Sequence, residues 1–317
     1  DLGIIVVEAA GNGQQDLDDP VYQGFFDRQE RDSGAIMVGA TAGSDLSPAW
    51  FSNHGSRLDL SGWGLNVVTT SYGDLQGGEE TEWYTAQFSG TSSASPIVTG
   101  AVASLQGMAE ASLGRTLDAN LARELLRGTG TPTSGVQQIG PRPNLPAAHA
   151  LLLAGGTGWL SGTVTGSGSG LPLADVTVKV EPAGPRMTTG PDGSYDLGLM
   201  PGSYLVSMAS YGHEPDTTLV LVSSGGDTVH DVDLVARPTE VISGVVTAVG
   251  GGPVAGATVA LLDEPVSPVI SGADGAFVFA PVPAGDLHVL QAGGVPGRGG
   301  LVLELPVTSL PAREVVM

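Results

Sequence analysis

Two polar side chains stand where acyl chemistry could be done: the hydroxyl of Ser92 and the carboxamide of Asn12. Ser92 lies in Phe88-Ser89-Gly90-Thr91-Ser92-Ser93-Ala94-Ser95-Pro96, a run of small residues. That run passes directly into Ile97, Val98, Ala101, Val102 and Leu105 at helical spacing. Gly90 admits backbone angles closed to other residues, and Thr91 or Ser92 can cap the first helical turn. Ser92 then stands at or beside a helix N-terminus, where unpaired amides and the helix dipole favour developing negative charge. A hydroxyl so placed suits nucleophilic attack on a carbonyl. A capped, buried helix whose serines are chosen for their size accounts for the same run. Gly100, inside the helix, costs stability relative to alanine and is expected to mark a close approach by another backbone.

Asn12 closes the other candidate element. Gly3 to Glu8 is a continuous β-branched run, as in a strand buried on both faces of a parallel sheet. It ends at Ala9-Ala10-Gly11-Asn12-Gly13, and ligands bind beyond the carboxyl ends of such strands. A carboxamide there can donate to the oxyanion formed when an acyl carbonyl is attacked. Asn-Gly is equally a turn signal. Ala35 to Ala40 reads as the next buried strand and Asn66 to Thr70 as another, with a polar excursion over Leu75 to Tyr84. Thr116-Leu117-Asp118 opens a second helix with Leu121, Leu125 and Leu126 inward and Gly128 as C-cap. Asn144-Leu145-Pro146 opens a third, running through Leu153, with His149 a partly buried packing residue.

Gly-Thr-Ser-x-Ala-x-Pro at residues 90–96, followed by a small apolar helix, resembles the nucleophile segment of the subtilisin-like serine proteases, the subtilases. The segment Ile4 to Gly13 is similar to the subtilase strand that ends in the oxyanion-hole asparagine. Residues 35–40 and 50–60 are similar to the strands that follow it. The resemblance covers residues 1 to about 154. It implies a partial subtilisin-like α/β domain, Ser92 and Asn12 as catalytic residues, and Ala9, Ala10 and Gly11 lining the substrate side-chain pocket. Gly90 and Thr91 would complete the substrate-binding edge. It also implies that the histidine and aspartate of the triad lie upstream, since no position here matches them. This stretch is therefore expected to be the C-terminal part of a longer precursor, or a fragment, with little peptidase activity alone. Its cut sheet should leave exposed apolar edges prone to aggregation. His54-Gly55 invites assignment as the base, but it falls in a different segment of the family pattern and is expected to be a surface-loop histidine. Gly62-Trp63-Gly64 departs from the family's Ala-Pro-Gly.

The second half repeats itself. Ser161-Gly162-Thr163-Val164 recurs as Ser243-Gly244-Val245-Val246, and Gly190-Pro191-Asp192-Gly193-Ser194-Tyr195 recurs as Gly272-Ala273-Asp274-Gly275-Ala276-Phe277. Short alternating strands parted by Gly, Pro and Asp-Gly turns are the pattern of a β-sandwich. Both units resemble carboxypeptidase regulatory-like domains, of transthyretin-like fold. Tyr195 and Tyr204 match the aromatic positions of the first copy; Phe277 and Leu287 stand there in the second. The Asp-Gly pairs read as hairpin turns, and the units as spacers or weak adhesion modules. His213, His230 and His288 are scattered and suggest no ligand set. The expected division is 1–154, a linker at 155–158, and sandwiches at 159–236 and 237–317.

Composition narrows the classes. Among 317 residues, 12 Lys+Arg stand against 33 Asp+Glu, a net charge of −21, which repels nucleic acid and anionic membrane surfaces. With Cys 0 there is no disulfide, thiolate zinc site or cysteine nucleophile. No apolar run reaches the length of a membrane span. The expected partners are protein or peptide substrates, with no firm sign of an oligomer. The resemblance implies a secreted or cell-surface location, and an adhesion protein carrying a degenerate protease segment is the alternative. The chemistry needs no cofactor, although the acidic stretch from Gln14 to Gly34 carries oxygens suited to a structural calcium ion.

Overall fold

A computed structural model describes residues 4–28, 30–182, 185–248, 251–284 and 288–294, with the backbone of 301–305 and 313–316. The first half is built on three parallel strands, β1 (Val7–Ala9), β2 (Ile36–Thr41) and β3 (Leu60–Trp63), in the order β1-β2-β3. Strand β2 is central, and its alternation divides two cores. Ile36, Val38 and Ala40 face helix α1 (Thr91–Leu113) through Val98, Val102, Leu105 and Ala109. Met37, on the opposite face, packs with Leu17, Leu58 and Ile139. A Cβ on Gly39 would lie 2.7 Å from the Ile139 Cβ, so the small residue lets that second layer close onto the sheet.

Two sequence expectations change here. Strand β1 is shorter than the β-branched run and is not buried on both faces: Ile4 and Val6 are exposed, and Gly3 lies outside the described residues. Among the described residues β1 pairs only with β2. Gly100 meets no neighbour on its open side and faces solvent, because the buried stripe of α1 runs through Val98 and Val102 rather than Ile97 and Ala101. The close approach is made instead at Gly62 of β3, where a Cβ would lie 2.5 Å from the Ala94 carbonyl oxygen. That contact seats the first turns of α1 on the sheet.

Helix α2 (Ala119–Thr129) is capped by Asp118, whose side chain accepts from the Asn120 and Leu121 amides. Its C-cap is Gly130 rather than Gly128, with Thr129 still helical. Helix α3 (Leu145–Leu153) starts at the Asn144 cap. Strands β4 (Val67–Thr70) and β5 (Tyr84–Phe88) form an antiparallel ribbon whose second strand runs directly into α1. Under the sheet, fully buried Asp59 gathers cations. It accepts from Arg28 at 2.5 Å, from Arg57 at 2.6 Å and from the Met37 amide at 2.8 Å, with Arg123 and Arg127 at 3.9 Å. Arg123 makes a bidentate pair with Asp32 at 2.9 and 2.6 Å. Burial opposes the charge of Asp32, but that guanidinium and the Gly34 amide hold its carboxyl below the usual carboxylate range.

The second half forms two sandwiches of one plan. In the first, Gly158–Gly166 pairs antiparallel with Ser194–Leu199 and parallel with Asp227–Val229 and Val232–Leu234. The facing sheet is ordered Asp216–Val222, Gly202–Ala209, Thr177–Glu181, Arg186–Thr188. In the second, Ser243–Thr247 pairs antiparallel with Ala276–Val278 and parallel with Arg313–Val316. Gly193 and Gly275, of the repeated Asp-Gly turns, share a φ of +74°. Tyr195, Val178 and Val206 lie in the first core, and Phe277, Phe279 and Val259 in the second. Tyr204 packs against the first core, while Leu287 lies outside the described residues. The Gly155–Gly158 stretch is engaged: Gly155 N–H bonds the Leu152 carbonyl and its carbonyl accepts from Ser224 Oγ. Arg115 stacks 4.4 Å over the Trp159 ring and pairs with Asp227 at 3.0 Å, joining the end of α1 to the first sandwich.

Candidate active site

The site is made where the end of β1 meets the start of α1. Gly90, with φ 118° and ψ 166°, is the N-cap of α1, a conformation that L side chains rarely adopt. This turn sends Thr91 inward, 1% exposed, and Ser92 outward into solvent. Neither residue caps the helix, contrary to the sequence expectation. The first orphan amide, Thr91 N–H, donates instead to Asn12 Oδ1 at 2.8 Å, across 79 residues. The Thr91 hydroxyl donates to the same oxygen at 2.9 Å and accepts from the Gly11 amide at 3.1 Å. A backbone N–H can only donate, so its partner on Asn12 is the oxygen. The –NH2 group is thereby the end left to act.

That group faces the serine. A Cβ built on Gly90 would lie 3.0 Å from Ser92 Oγ and 3.2 Å from Asn12 Nδ2. The hydroxyl and the amide donor thus converge on one methyl-sized space, and both residues are exposed. Among the described residues Ser92 Oγ has no hydrogen-bond partner. Pro96 carries no N–H and leaves the Ser92 carbonyl without its helical donor. Beside Asn12, Ala9 is exposed, Ala10 is buried and Gly11 has φ +96°.

Asn53 was not singled out by sequence, yet it shapes this edge. Its Nδ2 donates to the Ala10 carbonyl at 2.7 Å, and its Oδ1 accepts from the Gly13 and Gln15 amides at 3.1 and 2.8 Å. A Cβ on Gly11 would meet Asn53 Nδ2 at 2.7 Å. Its only local signal is an asparagine in the loop after Phe51-Ser52. His54 is half-buried, with Nδ1 3.8 Å from Asp16 Oδ1, and makes no hydrogen bond or ion pair with Ser92.

The acidic stretch spends its carboxylates separately. Asp16 accepts from the Asp18 amide, Asp18 holds the Ser56 amide and hydroxyl, Asp19 caps a short 3-10 turn and Asp32 pairs with Arg123. Among the described residues, no three His, Cys, Asp or Glu side chains gather as a metal cage.

Comparison with protein families resolves the two halves. Residues 1–138 match the Subtilase family, and residues 160–235 match the carboxypeptidase regulatory-like domain. The chain is thus a partial subtilisin-like parallel-sheet unit followed by two small β-sandwiches, the first of them in the matched domain family. No curated protein matches it. Fervidolysin from Fervidobacterium pennivorans, a keratinolytic enzyme related to subtilisin, is 17% identical over 92% of this chain and 50% of its own, with a TM-score of 0.41. The patellamide maturation protease PatA is 26% identical over 47% of this chain and 52% of its own, TM-score 0.36. A streptococcal ancillary pilin is 14% identical over 50% of this chain and 61% of its own, TM-score 0.33. The chain spans about half the length of these solved structures. No helix among the described residues is long and apolar enough to cross a membrane.

Proposed function

We propose that this subtilase segment carries the nucleophile and the oxyanion donors of a serine endopeptidase. Ser92 Oγ attacks the carbonyl carbon of a peptide bond, and the C–O bond forms as the hydroxyl proton passes to a base. The carbonyl oxygen becomes an oxyanion that accepts from Asn12 Nδ2 and from the Ser92 amide. Collapse expels the amine, which takes the proton, and water then hydrolyses the acyl-enzyme. Ala9, Ala10 and Gly11 offer the edge along which substrate lies. The convergence of Ser92 Oγ and Asn12 Nδ2 about Gly90 is the observation that carries this reading.

The base and the carboxylate that orients it are supplied, on this reading, by polypeptide beyond this chain. Without them Ser92 keeps the high pKa of an alcohol and is nearly inert. Substrates are proteins or peptides, met outside the cell or at its surface, with the sandwiches as spacers or weak adhesion modules. Labelling with a fluorophosphonate probe tests the proposal. A longer form carrying an upstream histidine and aspartate should be labelled at Ser92, the present chain scarcely, and a Ser92→Ala variant not at all. Strong labelling of the present chain overturns the need for an outside base. An unlabelled longer form overturns the nucleophile and leaves a non-catalytic surface protein.

A further inference from the structure

One turn beyond Ser92, α1 turns Ile97 toward a cavity of about 450 Å3, within the size range of small-molecule sites. Trp63 at the end of β3 and Leu145 and Pro146 at the start of α3 form its other apolar walls. Trp63 and Ile97 are 44% and 45% exposed, large apolar groups left open beside a concave surface. Four residues with polar side chains share the lining: Ser61, Thr131, Arg142 and Asn144. Ser61 is fully buried, and its hydroxyl has no hydrogen-bond partner among the described residues. Arg142 is exposed and forms no ion pair among the described residues, in a chain where 33 Asp+Glu outnumber 12 Lys+Arg. Its backbone is pinned by reciprocal 2.8 Å hydrogen bonds with Thr131, so the cation has a fixed root.

We propose that this cavity binds a carboxylate borne on a compact apolar body. The walls take the apolar part and Arg142 takes the charge. A free aliphatic acid and the C-terminal residue of a peptide share this chemistry. The site is independent of the peptidase reading, since none of its groups serves at Ser92. Elsewhere the net charge of −21 repels anions, which keeps non-specific binding of an acid low.

Calorimetric titration with four probes tests it: hexanoate, hexanamide, and acetyl-Ala-Leu with a free or an amidated C-terminus. The acids should saturate one site, about ten-fold or more tighter than their amides, as a charge-assisted hydrogen bond implies. Arg142→Gln should bring the acids down to the amides. Tighter binding of the peptide acid assigns the site to chain termini, and tighter binding of hexanoate assigns it to free acids. Equal binding of acids and amides, acid affinity unchanged in a folded Arg142→Gln variant, or no saturable binding overturns the proposal.

Discussion

Replacing Thr91 by valine removes one hydroxyl and little else. Valine keeps the β-branched shape, so no cavity opens at this 1%-exposed position. Two hydrogen bonds go with the oxygen, the 3.1 Å bond from Gly11 N–H and the 2.9 Å bond to Asn12 Oδ1. Each is worth about 0.5–1.5 kcal/mol net, and an unpaired buried amide adds its own desolvation cost. The expected loss of stability is about 2–3 kcal/mol, read as a lower urea midpoint at unchanged slope. Asn12 keeps the 2.8 Å bond from Thr91 N–H, so its amide is loosened rather than released. In a form that reacts with fluorophosphonate, labelling at Ser92 should slow by about five- to ten-fold, corresponding to about 1 kcal/mol of lost orientation. Thr91→Ser should restore most of both quantities. A valine variant that matches the parent in midpoint and labelling rate would refute the role given to this hydroxyl.

Asp59→Asn should destabilise the first half by about 3–5 kcal/mol, because it leaves Arg28 and Arg57 buried against a neutral amide; denaturant melts followed by tryptophan fluorescence check this. Gly90→Ala should abolish fluorophosphonate labelling in a competent form, since its Cβ would fill the space between Ser92 Oγ and Asn12 Nδ2 and its φ of 118° is strained; a labelled, folded variant contradicts it. Burial pushes the Asp118 carboxyl above its usual range against the pull of the Leu121 and Asn120 amides, so its contribution to stability is lost as pH rises through the raised value. Asp118→Asn, which keeps the cap without the charge, should therefore melt higher than the parent at neutral pH, with the gap closing below about pH 4.

Local patterns made much of this molecule legible. Ser92 and Asn12 sit in compact runs whose small residues, turn and helical spacing are all adjacent in the chain. Asp118, Asn144 and the leucines of α2 were readable for the same reason: a cap and a stripe are short-range features. What escaped depends on distant partners. Nothing around Thr91 shows that its hydroxyl ties Gly11 to Asn12, and nothing around Asn53 shows that it braces Ala10 and Gly13. Asp59, two residues from Arg57, gives no hint of Arg28, Arg123 and Arg127, which come from separate segments. Gly100 misled because a glycine on a helix reads alike whether it meets a neighbour or open water. Strand β1 misled because a β-branched run reports hydrophobicity without saying which face is covered.

The bond from Thr91 N–H to Asn12 Oδ1 closes a loop of 79 residues, among the slower contacts for a chain to find. Until it closes, the carboxamide has no reason to aim its donors at the serine, whatever helix has already formed. On the proposed reading, competence to hold a charged tetrahedral adduct waits on that long-range contact.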